Sequence, residues 1–231
     1  MSSVRRPPTM SDAPLGLFGG TFDPVHYGHL RLAEEARNSL GLDRVLWIPA
    51  GQPPHRSAPG TAARHRLEMV RLAIEGNPGF SLDQAEVLTA APSYTVTSLE
   101  RLRSLHGPKK PLVLLLGADA FAGLTGWHRW QDLFALAHLA VATRPSYPLE
   151  SGLLPPALEN AFQTRLARDT QALGQAPAGK IVSFAITALD ISATLIRGAL
   201  TTAGSARYLL PDPVLDYIAE HRLYQSPATG H

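Results

Sequence analysis

The sequence contains no cysteine among its 231 residues. This absence excludes disulfide scaffolds, zinc sites with thiolate ligands and cysteine nucleophiles. No apolar run approaches the roughly 20 residues that a membrane-spanning helix needs. The start of the chain, MSSVRRPPTMSDAP, also lacks the apolar centre of a signal peptide. We therefore expect a cytoplasmic protein with no membrane partner, stabilised by ordinary packing.

The chain also has little net charge, since its formal net charge is only +2. Arginine is far commoner than lysine, but the arginines are dispersed, and the adjacent basic pairs are Arg5-Arg6 and Lys109-Lys110. A nucleic-acid-binding protein concentrates such charge on one face. We therefore expect no nucleic-acid partner. The forked donors of arginine suit small anionic ligands instead.

Short apolar segments alternate along the chain with segments of helical periodicity. Strands are predicted at LGLFGG, RVLWIPAG, Phe80 to Leu82, PLVLLLGAD, HLAVATRP and KIVSFAI. Helices are predicted from near Gly28 to Gly41, from about Ala62 to Glu75, from Trp127 to Leu136, and at ISATLIRGAL. A further helix is predicted to follow Ser93, which would be its cap. In the helix from Ala62 to Glu75, the inward residues are Ala63, Leu67, Val70 and Ile74. This alternation is typical of an α/β fold with a doubly wound parallel sheet, whose ligands bind beyond the carboxyl ends of the strands. We expect one domain over residues 15–224, between flexible tails at 1–14 and 225–231.

The most informative segment is GGTFDPVHYGH, residues 19–29, between a predicted strand and a predicted helix. Its first two glycines allow the backbone to approach a phosphate, and a helix start offers unpaired N–H groups and a positive dipole end. His26 and His29 are three residues apart, so a helix that begins by Val25 would project both from one face. The segment therefore predicts an anion site.

Plainer interpretations of this segment stay open. A glycine pair after a strand is often only a tight turn. The two histidines could face solvent, or they could bind zinc with Asp23 as a third ligand. Because Asp23 is the only nearby candidate for that ligand, the sequence favours a site without a resident metal.

A second segment, ISATLIR, occupies residues 191–197. Ser192 fits a helix N-cap, and by itself it is only that. Thr194 adds a second hydroxyl, and Arg197 adds a forked cation one turn later. Hydroxyls, helix amides and a guanidinium together suit a triphosphate tail and a departing pyrophosphate.

These two segments together resemble the nicotinate-nucleotide adenylyltransferase family of bacterial NAD synthesis. Further matches are IPAGQPPHR, PSYT, GAD, the stretch from Trp127 to Trp130, the TRP before Ser146, and YLLPDPVLDYIAEHRLY. The resemblance covers most of the chain. It implies a Rossmann-like nucleotidyltransferase fold and adenylyl transfer from ATP to nicotinate mononucleotide, with deamido-NAD and pyrophosphate as products.

The resemblance also implies roles for individual residues. The implied catalytic contacts to ATP come from His26, His29 and Arg197. Further ATP and phosphate contacts are implied for Gly19, Gly20, Thr21, Phe22, Ser192 and Thr194, and ribose contacts for Gly117 and Asp119. The implied mononucleotide contacts are His55, Arg56, Thr95, Trp127 and Arg144. Position 193 is alanine where many relatives carry a second serine, which removes one hydroxyl from the phosphate site.

Several of these residues also have ordinary structural interpretations. His55 and Arg56 fit an exposed loop, and Arg144 fits the end of a strand. Asp119 fits a helix cap, and without the family resemblance Trp127 would be assigned to the core.

The chemistry implied here needs no covalent enzyme intermediate, because the attacking phosphate is already an anion at neutral pH, its second pKa being about 6. Mg²⁺ is expected to arrive with ATP, since it keeps several waters and binds substrate phosphates.

Other functions stay open at this point. The enzyme could prefer nicotinamide mononucleotide or use another nucleotidyl acceptor, and the chain could instead be a non-catalytic module that senses ATP or NAD. A class I aminoacyl-tRNA synthetase is disfavoured, since the chain is too short to carry an anticodon domain. The sequence leaves open whether the chain forms a homo-oligomer.

Overall fold

The computed structural model describes residues 13–53, 60–143, 154–202 and 204–225. Within them, six strands form a single sheet in the order β3-β2-β1-β4-β5-β6. The strands are β1 (Leu15–Gly20), β2 (Arg44–Pro49), β3 (Phe80–Leu82), β4 (Leu112–Gly117), β5 (His138–Thr143) and β6 (Ile181–Ala185). Every neighbouring pair is parallel. This is the doubly wound order, so the predicted fold class is confirmed.

Helices connect the strands and cover both faces of the sheet. They are α1 (Tyr27–Ser39), α2 (Ala63–Ile74), α3 (Ala85–Leu88), α4 (Thr95–His106), α5 (Ala118–Ala122), α6 (Leu133–Leu136), α7 (Pro156–Arg165), α8 (Ala193–Thr201) and α9 (Asp212–Glu220). Short 3-10 turns lie at Leu124–Gly126, Trp130–Asp132 and Thr170–Gly174. None of the described helices is long and apolar enough to cross a membrane.

The continuous apolar sequence of β4 is explained by burial on both faces. Val113 and Leu115 point into one core, which is closed by α1, α2, α8 and α9. Leu112, Leu114 and Leu116 point into the other core, which is closed by α4, α5, α6 and α7. Since successive side chains of a strand alternate between faces, a strand covered on both sides must be apolar throughout.

The predicted helices after Ser93 and from Trp127 to Leu136 differ from the structure. Ser93 does not cap α4, because the N-cap is Tyr94 and the Ser93 hydroxyl instead accepts hydrogen bonds from distant backbone N–H groups. The stretch from Trp127 to Leu136 is helical only in part. Arg129 has a φ of +51°, and this left-handed residue separates the turn at Leu124–Gly126 from the one at Trp130–Asp132.

The strand order places the segments that follow β1 and β4 side by side, at the carboxyl edge of the sheet. Successive strands run outward in one direction from β1 through β2 to β3, and in the other from β4 to β6. The carboxyl ends of β1 and β4, at Gly20 and Gly117, therefore lie beside this switch point. A crevice at the switch point is where doubly wound folds bind nucleotides.

Candidate active site

The loop after β1 is shaped by the side chain of Phe22. This residue adopts a φ of +50°, and its buried ring packs against Phe18 and Trp47 at centroid distances of 5.5 and 5.3 Å. A Cβ on Gly20 would lie 2.9 Å from the Phe22 ring, so the close approach requires glycine. The aromatic anchor therefore fixes the backbone of residues 19–22 at the end of the sheet.

His26 and His29 lie side by side at the start of α1. The helix begins at Tyr27, so the condition that it begin by Val25 is not met, and His26 is its extended N-cap with a φ of −151°. Their rings nevertheless stack, with centroids 3.7 Å apart. A Cβ on Gly28 would lie 3.0 Å from the His26 ring, so glycine between the histidines leaves room for this arrangement.

The His26 imidazole is held in its neutral form. It is only 6% exposed, and burial lowers its pKa from the ordinary 6.5 to about 4. Its Nδ1 atom is buried and has no hydrogen-bond partner within the described part of the chain. A buried polar atom without a partner at a helix start is consistent with a site for an incoming ligand.

The ISATLIR segment lies directly against the GGTFDPVHYGH loop. Ser192 caps α8 as predicted, and its hydroxyl accepts from the N–H of Leu195 at 3.1 Å. Arg197 donates through Nη1 to the backbone carbonyl of Asp23 at 2.7 Å, and through Nη2 to the Thr194 hydroxyl at 3.3 Å. The structure therefore brings together the two segments that the sequence singled out.

Asp23 connects this loop to the end of the chain as well. Its buried carboxylate accepts a hydrogen bond from the Tyr224 hydroxyl at 2.5 Å. Burial and the bond to Asp23 raise the pKa of Tyr224, so the phenol remains a proton donor. Sequence reasoning assigned Tyr224 no role, although it belongs to the matched YLLPDPVLDYIAEHRLY segment.

The zinc interpretation of this loop is not supported. The Asp23 carboxylate that it requires is bound to Tyr224. In the ranges that the structure describes, no group of three or more histidine, aspartate or glutamate side chains could hold a metal ion.

A buried arginine behind the loop was also missed. The helical pattern assigned Leu67 to the inward face of α2, but Leu67 is only partly buried, whereas Arg66 is 1% exposed. The three nitrogens of its guanidinium donate to the carbonyls of Thr61 at 3.1 Å, Thr21 at 2.7 Å and Gly51 at 2.9 Å. The periodicity of apolar residues cannot reveal a buried cation of this kind.

The proposed ribose pair lies at the carboxyl end of β4. Gly117 is the N-cap of α5, and Asp119 is exposed in the first turn of that helix. Because the N-cap is Gly117, the alternative interpretation of Asp119 as the helix cap is wrong. The Asp119 carboxylate therefore faces solvent beside the switch point.

The proposed nicotinate residues come from two segments in contact. Thr95 is the first residue of α4, and the ring of its neighbour Tyr94 packs on His128 at a centroid distance of 4.4 Å. Trp127 is half-buried against the second core. His55, Arg56 and Arg144 lie outside the described residues, so their roles stay predictions.

Comparison with known proteins agrees with this arrangement. Residues 17–199 match the family model described as cytidylyltransferase-like. A probable nicotinate-nucleotide adenylyltransferase of Dechloromonas aromatica is 62% identical over 92% of this chain and 98% of its own length. The chain belongs to the nicotinate-nucleotide adenylyltransferase family. The family resemblance inferred from the motifs is thereby confirmed.

Other members of the family are similar along nearly their full length. The probable nicotinate-nucleotide adenylyltransferase of Acidithiobacillus ferrooxidans is 48% identical over 92% of this chain and 96% of its own length. The solved structure of the Plasmodium falciparum nicotinic acid mononucleotide adenylyltransferase complexed with NaAD has a TM-score of 0.68 and 17% identity, covering 92% of this chain and 97% of that one. At that identity, the structural match supports the fold alone.

The pKa of His26 gives a direct test of the site. A titration of the imidazole followed by NMR should give a pKa of about 4 in the ligand-free protein. Between pH 6.5 and 4 the unfolded chain binds a proton that the folded chain does not, so the free energy of unfolding should fall as the pH falls through this window. The loss is on the order of 3 kcal/mol. The variant His26→Asn should lose that pH dependence, and a titration near 6.5 in the folded protein would contradict the burial argument.

Proposed function

We propose that this chain catalyses adenylyl transfer from ATP to nicotinate mononucleotide, and so forms deamido-NAD and pyrophosphate in NAD biosynthesis. The observation that carries the proposal is the hydrogen bond from Arg197 to the carbonyl of Asp23, which joins the histidine loop to the start of α8. We infer that the amides, imidazoles and guanidinium of these two segments bind the triphosphate together. Relatives that carry this activity in their names match the chain over nearly its whole length.

The reaction is a direct displacement at the α-phosphorus of ATP. An oxygen of the 5′-phosphate of nicotinate mononucleotide forms the new bond to phosphorus, and the bond to the α,β-bridging oxygen breaks. The electron pair leaves with pyrophosphate. Because the attacking group is already an anion, its second pKa being about 6, no general base is needed.

Catalysis then consists of positioning and charge stabilisation. Holding two reactants in line supplies about 7 to 11 kcal/mol of barrier reduction. We assign His26 and His29 as hydrogen-bond donors to the ATP phosphates. Arg197, with Ser192 and Thr194 at the start of α8, receives the negative charge that develops on pyrophosphate.

Mg²⁺ enters this scheme as part of the MgATP substrate. In the part of the chain that the structure describes, no group of three or more acidic or histidine side chains is arranged to hold a metal. Mg²⁺ commonly keeps several waters and is held through substrate phosphates rather than by an all-protein cage.

The remaining predicted contacts divide between the two substrates. The backbone of Gly19, Gly20, Thr21 and Phe22 is assigned to the phosphates at the reaction centre. Gly117 and Asp119 are assigned to the adenosine ribose. Thr95 and Trp127 are assigned to the nicotinate ring and carboxylate, together with His55, Arg56 and Arg144 toward the mononucleotide. The preference for the acid over the amide depends on this last group.

The substrate assignment is tested with purified protein. Pyrophosphate release is measured with MgATP and either nicotinate or nicotinamide mononucleotide, and the dinucleotide is identified by mass spectrometry. We expect kcat/KM to be at least about tenfold higher with the acid, because local amides compensate its carboxylate charge. A preference for the amide would contradict the substrate assignment. Binding without pyrophosphate release would show a nucleotide sensor rather than an enzyme.

The histidine assignment is tested by His29→Ala. Removing a donor aimed at the transferring group should lower kcat by about 10² to 10³, and the far-UV circular dichroism spectrum should stay unchanged. The control His106→Ala removes an exposed imidazole at the far end of α4 and should retain normal turnover. Near-normal turnover of His29→Ala would count against the assignment.

A further inference from the structure

The loops after β1 and β2 are joined by a buried guanidinium. Arg66 donates to Thr21 in the first loop, and to Gly51 and Thr61 in the segment that follows β2. A direct backbone bond from Ala50 to the carbonyl of Gly20, at 2.9 Å, adds to this connection. Thr21 belongs to the loop assigned to the reacting phosphates. Gly51 and Thr61 precede and follow the predicted mononucleotide contacts in the sequence.

The Gly51 peptide is held from its other side by Ser93. The Ser93 hydroxyl accepts from the N–H of Gly51 at 2.9 Å and from that of Gln52 at 3.1 Å. The Ser93 N–H donates to the carbonyl of Gln52 at 2.9 Å. A Cβ on Gly51 would lie 2.0 Å from the carbonyl oxygen of Glu86. The segment after β2 is therefore tightly packed onto the segment that carries Thr95.

Glu86 orients the Ser93 hydroxyl. Its carboxylate accepts from the Ser98 hydroxyl at 2.5 Å and is also hydrogen-bonded to Ser93. Burial raises the pKa of Glu86, and the two hydroxyls oppose that rise. With the Ser93 proton directed to Glu86, the oxygen lone pairs of Ser93 face the two backbone N–H groups.

Burying the charged guanidinium of Arg66 costs free energy that side-chain packing alone does not require. Burial lowers the pKa of Arg66, and the negative charges of Asp23 and Glu86 oppose that lowering. Its hydrogen-bond partners in the described ranges are backbone carbonyls of loops rather than a carboxylate. An apolar side chain could fill the same space without the cost of desolvating a charge. Only the guanidinium group of arginine, however, can donate to three loop carbonyls at once from rigidly placed nitrogens.

We propose that Arg66 and Glu86 are positioning residues for adenylyl transfer. Arg66 holds the loop of residues 19–22 in register with Gly51 and Gln52, which precede the predicted mononucleotide contacts in the sequence, so it acts on both substrates. Glu86 acts through Ser93 on Gly51 and Gln52 alone. The inference rests on the proposed function, because that function assigns the two loops to two substrates.

The test compares matched substitutions in the full-length enzyme. Arg66→Lys keeps the positive charge but loses the guanidinium donors. Its control is Arg71→Lys, on the exposed face of the same helix. Glu86→Gln changes the half-buried carboxylate, and Glu75→Gln at an exposed position is its control. The value of kcat and both KM values are measured for each variant, with folding checked by thermal unfolding.

We expect Arg66→Lys to raise the KM of both MgATP and nicotinate mononucleotide and to lower kcat, each by at least about fivefold. Glu86→Gln should raise the KM of the mononucleotide by a similar factor and leave that of MgATP within about twofold. The controls should match the wild type. A loss of stability alone would lower the active fraction without separating the two KM values.

Folded Arg66→Lys with both KM values unchanged would overturn the inference, as would Glu86→Gln raising both KM values equally. If Arg66→Lys does not fold, amide hydrogen exchange of ligand-free Glu86→Gln provides the second test. Exchange at Gly51 and Gln52 should accelerate by at least about tenfold while Thr21 stays unchanged; no acceleration overturns the inference. Absence of wild-type pyrophosphate release would contradict the proposed function, and the exchange measurement would still test the role of Glu86.

Discussion

The candidate site depends on one residue, Asp23, which two distant parts of the chain bind at the same time. Its carbonyl accepts from Arg197, which is 174 residues away, and its carboxylate accepts from Tyr224, which is 201 residues away. These bonds bring α8 and the end of the chain against the loop that carries the histidines. Because each bond joins elements far apart in sequence, the site depends on the tertiary fold and not on any single segment.

The same arrangement distributes charge unevenly across the site. His26 is buried and neutral, so it offers a hydrogen bond without a full charge. Arg197 supplies a cation at the start of α8, where the helix dipole adds to its effect. In the proposed reaction, the charge that must be stabilised develops on the leaving pyrophosphate, and we assign Arg197 to stabilise it. The nucleophile is already an anion, so it needs no activation.

Much of the fold followed from local patterns in the sequence. The apolar run of β4, the alternation of strands and helices, and the Ser192 cap depend on neighbouring residues, and the structure confirms them. The roles of Ser93, Arg66 and Tyr224 did not follow, because each is decided by a partner far along the chain. Ser93 is of a residue type that favours helix caps, yet distant backbone N–H groups donate to its hydroxyl. Arg66 lies in a pattern that assigns only apolar residues to the core.

The most direct test of the account is a crystal structure of the chain with Mg²⁺ and a non-hydrolysable ATP analogue. The account predicts that the triphosphate lies over the backbone of residues 19–22, with His26, His29 and Arg197 within hydrogen-bonding distance of its oxygens. A triphosphate bound elsewhere, with these three side chains facing only solvent or protein, would contradict it.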